Sequence, residues 1–383
     1  MSLTAKFGVV VAFWLAVGLI QTFNWGSGIE KAIVMLLLIM AAPFVVAAAR
    51  ATSTSLPPRW ERAAGIATIV LLVAESGYLI GRILHPHLID VATTTLAAGD
   101  AILHGMNPYA VPIDTGPESA GFTGYKYLPV MALAYLPLGA LLGQRGILLT
   151  NLVLLLTSVW LLKHLARSNL APLLFLMLPL MPQQIFAKGA TDMAPVVPLL
   201  AAFLFVERNG FLTGLCVGLS IAAKPLPGAM FLPCLLPSVE RERYALGIAA
   251  GLTPILPFLV ASPQSLFANI VTFTLTRSAD GTSWLYHAPP EASAAARLVL
   301  GASFLYAAIF VWRQVPNLAT RAALGTMLTI AAILAGPGAH HNYQLWWLPF
   351  AALMLSLALA PDEACQEEPL RYTTAAGMDA RGS

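Results

Sequence analysis

Charge is what this sequence has least of. Lysine, arginine, aspartate and glutamate make up 10% of its 383 residues, where an ordinary soluble chain carries roughly 25%. So little charge cannot cover a water-facing surface, which excludes a freely soluble globular domain. Cysteine is nearly missing: Cys216, Cys234 and Cys365 are scattered and give neither a disulfide framework nor metal-ligand spacing. The net charge of +3 marks no nucleic-acid partner. Strict apolar–polar alternation is also missing, which excludes a membrane β-barrel.

What is present is apolar. Hydrophobic residues form 58% of the chain, and mean hydropathy is +0.76. Apolar runs of about 17–20 residues, the length that spans a bilayer, recur from end to end. They fall at 7–23, 30–49, 64–84, 127–142, 147–164, 170–186, 191–206, 211–223, 225–237, 243–261, 294–312, 320–337 and 343–360. Several are near the spanning minimum, so the expectation is an all-α, polytopic transmembrane helical protein of about 11–13 membrane segments. Lys6 opens an apolar run with no small-residue cleavage site, and a second run follows, so a retained first helix is expected. Residues 1–60 read as an N-terminal transmembrane hairpin, 61–360 as the main membrane domain, and 361–383 as a disordered cytoplasmic tail.

Lysine and arginine in short loops set the orientation. Arg50, Arg59 and Arg62 place 50–63 in the cytoplasm, and Arg208, Arg241, Arg243, Arg313 and Arg321 mark further cytoplasmic loops. Residues 85–127, 187–192, Lys224-Pro225, 262–293 and 336–343 then reach the far side. One conflict stands. Lys163, His164 and Arg167 also read as cytoplasmic, yet an odd number of apolar segments separates 85–127 from 187–192. The run 127–142, with Pro129 and Pro137, is a candidate for a partial or re-entrant element.

The longest polar interruption in the first two thirds of the chain is HPHLIDVATTTLAAGDAILHGMNPYAVPIDTGPESAGFTGYKY, from His85 to Tyr127. Ionisable residues beside a membrane are costly and therefore functional candidates. His85, His87, His104, His287, His340 and His341 fall on the far side, with Asp90, Asp100, Lys126, Lys188, Asp192, Lys224 and Arg277. Such a one-sided set suits a cavity open at one membrane face.

Asp90 reads either as a solvated interfacial acid or N-cap, or as a general base at that cavity's mouth. Asp100 is the second choice: ten residues is close to three helical turns, so both acids project from one face if the segment is helical. Lys224 ends a helix before Pro225 with no acid nearby in sequence. It reads either as a snorkelling lysine or as a cation awaiting a phosphate. Lys126 and Arg277 are further phosphate candidates, Lys126 otherwise anchoring an aromatic belt. The HxH at 85–87 and His340-His341 are weak metal signals, read first as interfacial or substrate-contacting groups, and no metal site is assigned. Trp284, Tyr286, Tyr343, Trp346 and Trp347 read mostly as belt aromatics.

An acid shortly after a helix, a run ending in HGMNPYA, then YKYLPVMALAYLPLGALL resembles the first large loop of the GT-C glycosyltransferases, most closely glycosyltransferase family 87 (DUF2029). That family includes polyprenol-phosphate-mannose-dependent α-mannosyltransferases. PQQIFAKGATDMAPVVPLLAAFLF, NGFLTGLCVGLSIAAKPLPGAMFLPCLL and HHNYQLWWLP are also similar, so the resemblance covers roughly residues 64–360. It implies a GT-C-like fold with a large first non-cytoplasmic loop at 85–127 and a second at 262–293. It implies inverting transfer of a hexose, mannose above all, from a polyprenyl-phosphate donor to a lipid or glycan acceptor on the non-cytoplasmic face. The setting would be a bacterial inner (plasma) membrane.

In that scheme Asp90 matches the family's base. VATTTLAAGD departs from the family pattern and brings in Asp100, which leaves the choice of acid open. Lys224 matches the basic residue before proline at a helix end. Candidates for substrate or phosphate binding are Lys224, Lys126, Arg277, His287, His340, His341, Asn107, Tyr109, Gln184 and Asp192. No cofactor is called for, since the donor is itself the activated lipid-linked sugar. Membrane lipids, the donor and the acceptor are the expected partners. Two other readings remain open: a polytopic transporter or lipid flippase, and a polysaccharide polymerase or ligase acting on lipid diphosphates.

Overall fold

The structure is a computed structural model that describes residues 58–113, 124–176, 188–338 and 340–359. The expected segments at 7–23 and 30–49, the tail, and Gln184 lie outside these residues. The described residues are helical, with no strand among them.

The helices are α1 Pro58–Leu84, α2 Asp90–Leu103, α3 Pro129–Leu142, α4 Gln144–Ala166, α5 Leu170–Leu176, α6 Met193–Phe205, α7 Gly210–Ala223 and α8 Pro225–Phe231. They continue with α9 Arg241–Leu252, α10 Leu256–Ala261, α11 Pro263–Phe267, α12 Phe273–Thr276, α13 Pro290–Gln314, α14 Leu318–Leu334 and α15 Leu348–Leu359. Tight turns link several of them, among them Trp284–His287 and His341–Trp346.

Four stretches are long and apolar enough to cross a membrane: Glu61–Leu84, Gln144–Ala166, Arg241–Ala261 and Glu291–Gln314. Two of them bury little within the protein. Only 11% of the most apolar window of Glu291–Gln314 is buried, and 17% of that of Arg241–Ala261. Their outer faces carry Leu246, Leu256, Val260, Leu298, Val299, Leu305, Tyr306 and Trp312, all exposed. An apolar face of that extent fits a lipid surround.

The expected loop at 262–293 is partly helical. Ser262 breaks the run, and α11, a single π turn at Ala268–Thr272 and α12 carry the chain to Arg277. The expected segment 225–237 contracts to the seven residues of α8.

The tightest packing joins α7 to α9 through glycines. A Cβ added at Gly214 would lie 2.0 Å from the Tyr244 carbonyl oxygen, and one at Gly247 would lie 2.1 Å from that of Phe211. Glycine four residues apart on α7 (Gly210, Gly214, Gly218) lets the two backbones touch, the pattern that packs helices where water supplies no driving force.

The run 127–142 forms a short helix beside α4. Pro129 opens α3, and at 14 residues α3 is about 21 Å long. It folds straight back on α4 at Gly143, with the Tyr135 hydroxyl donating to Asn151 Oδ1 at 2.6 Å. Asn151 Nδ2 donates to the Ala190 carbonyl. At the other end of α4, the Ser168 hydroxyl and the Asn169 amide donate to the Glu61 carboxylate at the start of α1. Thus α4 alone runs the distance from the level of Ala190 to the level of Glu61, while α3 stays at the Ala190 end.

Arg321 corrects one orientation marker. It is buried, and donates to the carbonyls of Pro316, Cys234 and Leu236 and to the Glu207 carboxylate. It staples α14 to the end of α8 and is not a free loop charge.

Candidate functional site

Three charged groups meet at the end of the molecule away from Glu61. The first is built on the segment before α2. Pro86 prevents α1 from continuing, because the residue before a proline is pushed out of helical geometry. The extended stretch is pinned where the Ile89 amide donates to the Lys188 carbonyl at 3.0 Å. Asp90 then opens α2 with Ile89 as N-cap, a position where the helix dipole favours a carboxylate. Lys126 Nζ donates to Asp90 Oδ2 at 2.8 Å, and the two side chains are 13% and 16% exposed.

The second group is built on Lys224. Pro225 holds Lys224 in extended geometry (φ −146°, ψ 114°), which ends α7 and turns the ammonium inward. Lys224 Nζ lies 2.5 Å from Asp192 Oδ1, with Asp192 fully buried. Asp192 also accepts from Asn342 Nδ2 and Trp346 Nε1, each at 2.7 Å. The rings of Trp346, Tyr127 and Tyr343 surround the ammonium at 4.8, 5.0 and 5.4 Å, close enough for cation–π attraction.

The third group ties two loops. Arg277 Nη2 donates to Asp280 Oδ2 at 2.6 Å, and His340 Nε2 lies 3.2 Å from the same oxygen. The Asp280 amide donates to the Pro337 carbonyl and the Ser283 hydroxyl to that of Gly336. Partial burial works to raise the Asp280 pKa. Hydrogen bonds from Thr282 and the charges of His340 and Arg277 outweigh it and hold Asp280 below its ordinary value. Burial pushes the His340 pKa down; Asp280 and Asp90 oppose that, while Arg277 and Lys224 reinforce it.

Aromatic rings join the groups. Tyr127 lies between the two lysines, 6.0 Å from Lys126 Nζ and 5.0 Å from Lys224 Nζ. The His340 ring meets Tyr343 edge-on at 5.1 Å, and Tyr343 stacks on Trp346 at 4.2 Å.

The structure therefore brings together Asp90, Lys126, Asp192, Lys224, Arg277 and His340, and separates several other candidates from them. Ten residues along α2 is about 2.8 turns, a rotation of roughly 80° from register, so Asp90 and Asp100 do not share a face. Asp100 is 66% exposed and lies 3.5 Å from His104. It lines a separate, mostly apolar cavity of about 390 Å³ between α2 and α3, with Thr93 and Gln144.

Tyr109 is buried and donates to the Tyr127 carbonyl, while Asn107 Oδ1 accepts from the Tyr109 amide. Both hold a turn against Tyr125 and Phe258 and do not line the site. His287 is exposed on the turn before α13, and His85 and His87 are exposed beyond α1. His341 opens the turn that carries Asn342 and Trp346; its side chain is outside what is described. Among the described residues no group of three His, Cys, Asp or Glu is placed to hold a metal ion.

Lys224 is corrected most. It has a carboxylate partner 32 positions earlier in the chain, so it is not a cation left free for phosphate. Asp192, a candidate for contacting substrate, is sealed from solvent as that partner. Trp346 and Trp347 are buried, not belt residues.

Asp280, Asn342, Tyr127 and Trp346 enter the site unforeseen. The signal available was HNYQLWW itself, which sets an amide and an indole N–H between apolar runs where donors need a partner.

No family model, no curated protein and no solved structure matches the chain.

Proposed function

We propose that this chain is a multi-pass membrane glycosyltransferase that moves a hexose, mannose in the first instance, from a polyprenyl phosphate to a lipid or glycan acceptor. The site would lie on the non-cytoplasmic face of a bacterial inner membrane. One observation carries the reading. A partly exposed carboxylate, Asp90, stands beside a cation, Lys126, at the same end of the molecule as Arg277 and His340, in a chain with four helices long and apolar enough to cross a membrane.

The chemistry needs those parts. The acceptor hydroxyl attacks the anomeric carbon from the face opposite the phosphate, and its proton passes to Asp90. The bond between the anomeric carbon and the phosphate oxygen breaks, and its electron pair leaves with the polyprenyl phosphate. A positioned base contributes about 10²–10⁴-fold. The leaving phosphate gains negative charge, which Lys126 and Arg277 are placed to offset. The short α3, folded back on α4, supports reading 127–142 as a partial element. Arg167 lies at the Glu61 end, where Ser168 and Asn169 donate to that carboxylate, which supports a cytoplasmic side there.

A transporter reading has one observation in its favour: Glu75 is buried about two thirds of the way along α1, where an intramembrane acid is costly. The two readings part in one assay. Purified protein offered radiolabelled polyprenyl-phosphate-mannose and a crude lipid acceptor pool should form a labelled glycolipid. Sugar or lipid movement in proteoliposomes with no new glycosidic product would favour transport instead.

A further inference from the structure

The cavity between α2 and α3 has a volume of about 390 Å³, within the range of small-molecule sites. Two close contacts frame it. Leu136 fills the place of a side chain at Gly99 and Leu96 that at Gly139, where an added Cβ would lie 3.2 and 3.1 Å from the leucine methyls. Beside them Gly143 ends α3 at φ 57°, with nothing within 4 Å of an added Cβ, so the space stays open at that end.

The interior asks for no water. The Thr93 and Thr95 hydroxyls donate to the carbonyls of Asp90 and Val91 at 3.1 and 2.7 Å, and the Tyr135 hydroxyl donates to Asn151. With those groups satisfied, the rest of the wall is apolar, Ala97 and Ala140 included. A cavity of that kind stays dry and takes an apolar guest. Among the lining residues, polar capacity is left at the mouth, where Asp100 is 66% exposed and Gln144 is exposed. Leu103, Leu141 and Leu142 flank the mouth and are exposed too, so an apolar chain can reach the opening over leucine. An apolar interior with a polar mouth is the shape of an amphiphile.

We infer that this cavity is a lipid site, and that it takes one alkyl chain of an amphiphile whose head is neutral and bears hydroxyls, as in a monoacylglycerol. The mouth sets the head. A hydroxyl both donates and accepts, so it can donate to the Asp100 carboxylate and accept from the Gln144 amide. A phosphodiester head has no proton to give the carboxylate and meets its charge, so the sugar donor is not the occupant. An ammonium has nothing with which to accept from the amide. His104 stands 3.5 Å from Asp100 and offers it a donor already. Arg145 is exposed beside Gln144 but does not line the cavity. Asp100 lies about 15 Å along α2 from Asp90, so the guest sits apart from the Asp90–Lys126 pair, and its binding does not depend on transfer.

The test uses the full chain in phosphatidylcholine nanodiscs and a monoacylglycerol that carries a diazirine midway along its chain. Light turns the diazirine into a carbene that inserts into nearby side chains, and peptide mass spectrometry finds where. Label should gather on residues 93–103 and 135–144 above the level on α9 and α13, and excess unlabelled monoacylglycerol should remove it there. Ala97→Phe and Ala140→Phe fill the cavity from its two walls. Each should cut that labelling at least about tenfold, with thermal unfolding showing that the variant is folded. The same chain on a methyl phosphate diester should label weakly, and Asp100→Asn should raise that labelling about twofold to fivefold, the worth of an exposed charge. Label no denser on α2 and α3 than on α13, or unmoved by whichever phenylalanine variant folds, overturns the site. Stronger labelling by the same chain on a primary amine, or no gain for the diester in Asp100→Asn, overturns the neutral head.

Discussion

Lys224 and Asp192 meet at 2.5 Å with the aspartate wholly out of solvent. They come from two different helix junctions, and Asn342 and Trp346 from a third close on the same carboxylate. This knot ties the starts of α6 and α8 to the turn before α15 and makes the floor on which Tyr127 and Lys126 rest. Removing one partner of a buried pair costs about 3–5 kcal/mol, because the other is left charged and unpaired. Lys224→Met and Asp192→Asn are each expected to lower the unfolding temperature in detergent sharply, and the double variant by less than the sum of the two. A double-mutant cycle in thermal unfolding measures this. Additive losses would mean that the two residues do not act as a pair.

The glycine contact between α7 and α9 predicts a contrast. Gly214→Leu and Gly247→Leu would force a side chain into opposing backbone, at 2.0 and 2.1 Å from a carbonyl oxygen already at the Cβ. Both are expected to abolish recovery of folded protein by size-exclusion chromatography. Gly77→Ala and Gly81→Ala on α1, with nothing within 4 Å of the added methyl, should express and elute as the parent does.

Acid should loosen the loop tie between Asp280 and His340. The folded-state pKa of His340 lies below its ordinary 6.5, so unfolded chain binds the proton more readily. The stability it contributes is complete above pH 6.5 and declines as pH falls through that value towards the folded pKa. Asp280 is also depressed, from 3.8. Its contribution is present above that value and lost as pH falls below it. Hydrogen exchange at Arg277–Ser283 and Gly336–His340 should therefore rise on going from pH 7.5 to pH 5.5, after correction for intrinsic rates. His340→Gln should flatten that rise. A pH-independent opening in the parent would remove His340 from the account.

Much of this was legible in composition. Low charge and repeated apolar runs give an all-helical chain with helices of membrane-crossing length, because those properties depend only on what each segment can bury. Pro225 and Pro86 marked where helices stop and polar side chains turn inward, since proline acts locally. Pairings were not legible. Lys224 has no acid near it in sequence because its partner is brought by another helix start, and only packing places Asp192 there. Tyr109 and Trp346 looked like ligand-facing or interfacial aromatics, since a ring that donates to a buried oxygen has the same local sequence as one that donates to a headgroup. Asp90 and Asp100 are told apart by helical phase and by the Lys126 contact, the second of which spans 36 positions.

The most direct test of the central claim is transfer from radiolabelled polyprenyl-phosphate-mannose to a lipid acceptor by parent, Asp90→Asn and Asp100→Asn proteins of equal folded content. Labelled product should form with the parent, fall by at least about 10²-fold in Asp90→Asn, and stay within about twofold in Asp100→Asn, an exposed side chain away from the site. Product formation that survives Asp90→Asn, or that fails in Asp100→Asn alone, would contradict the account.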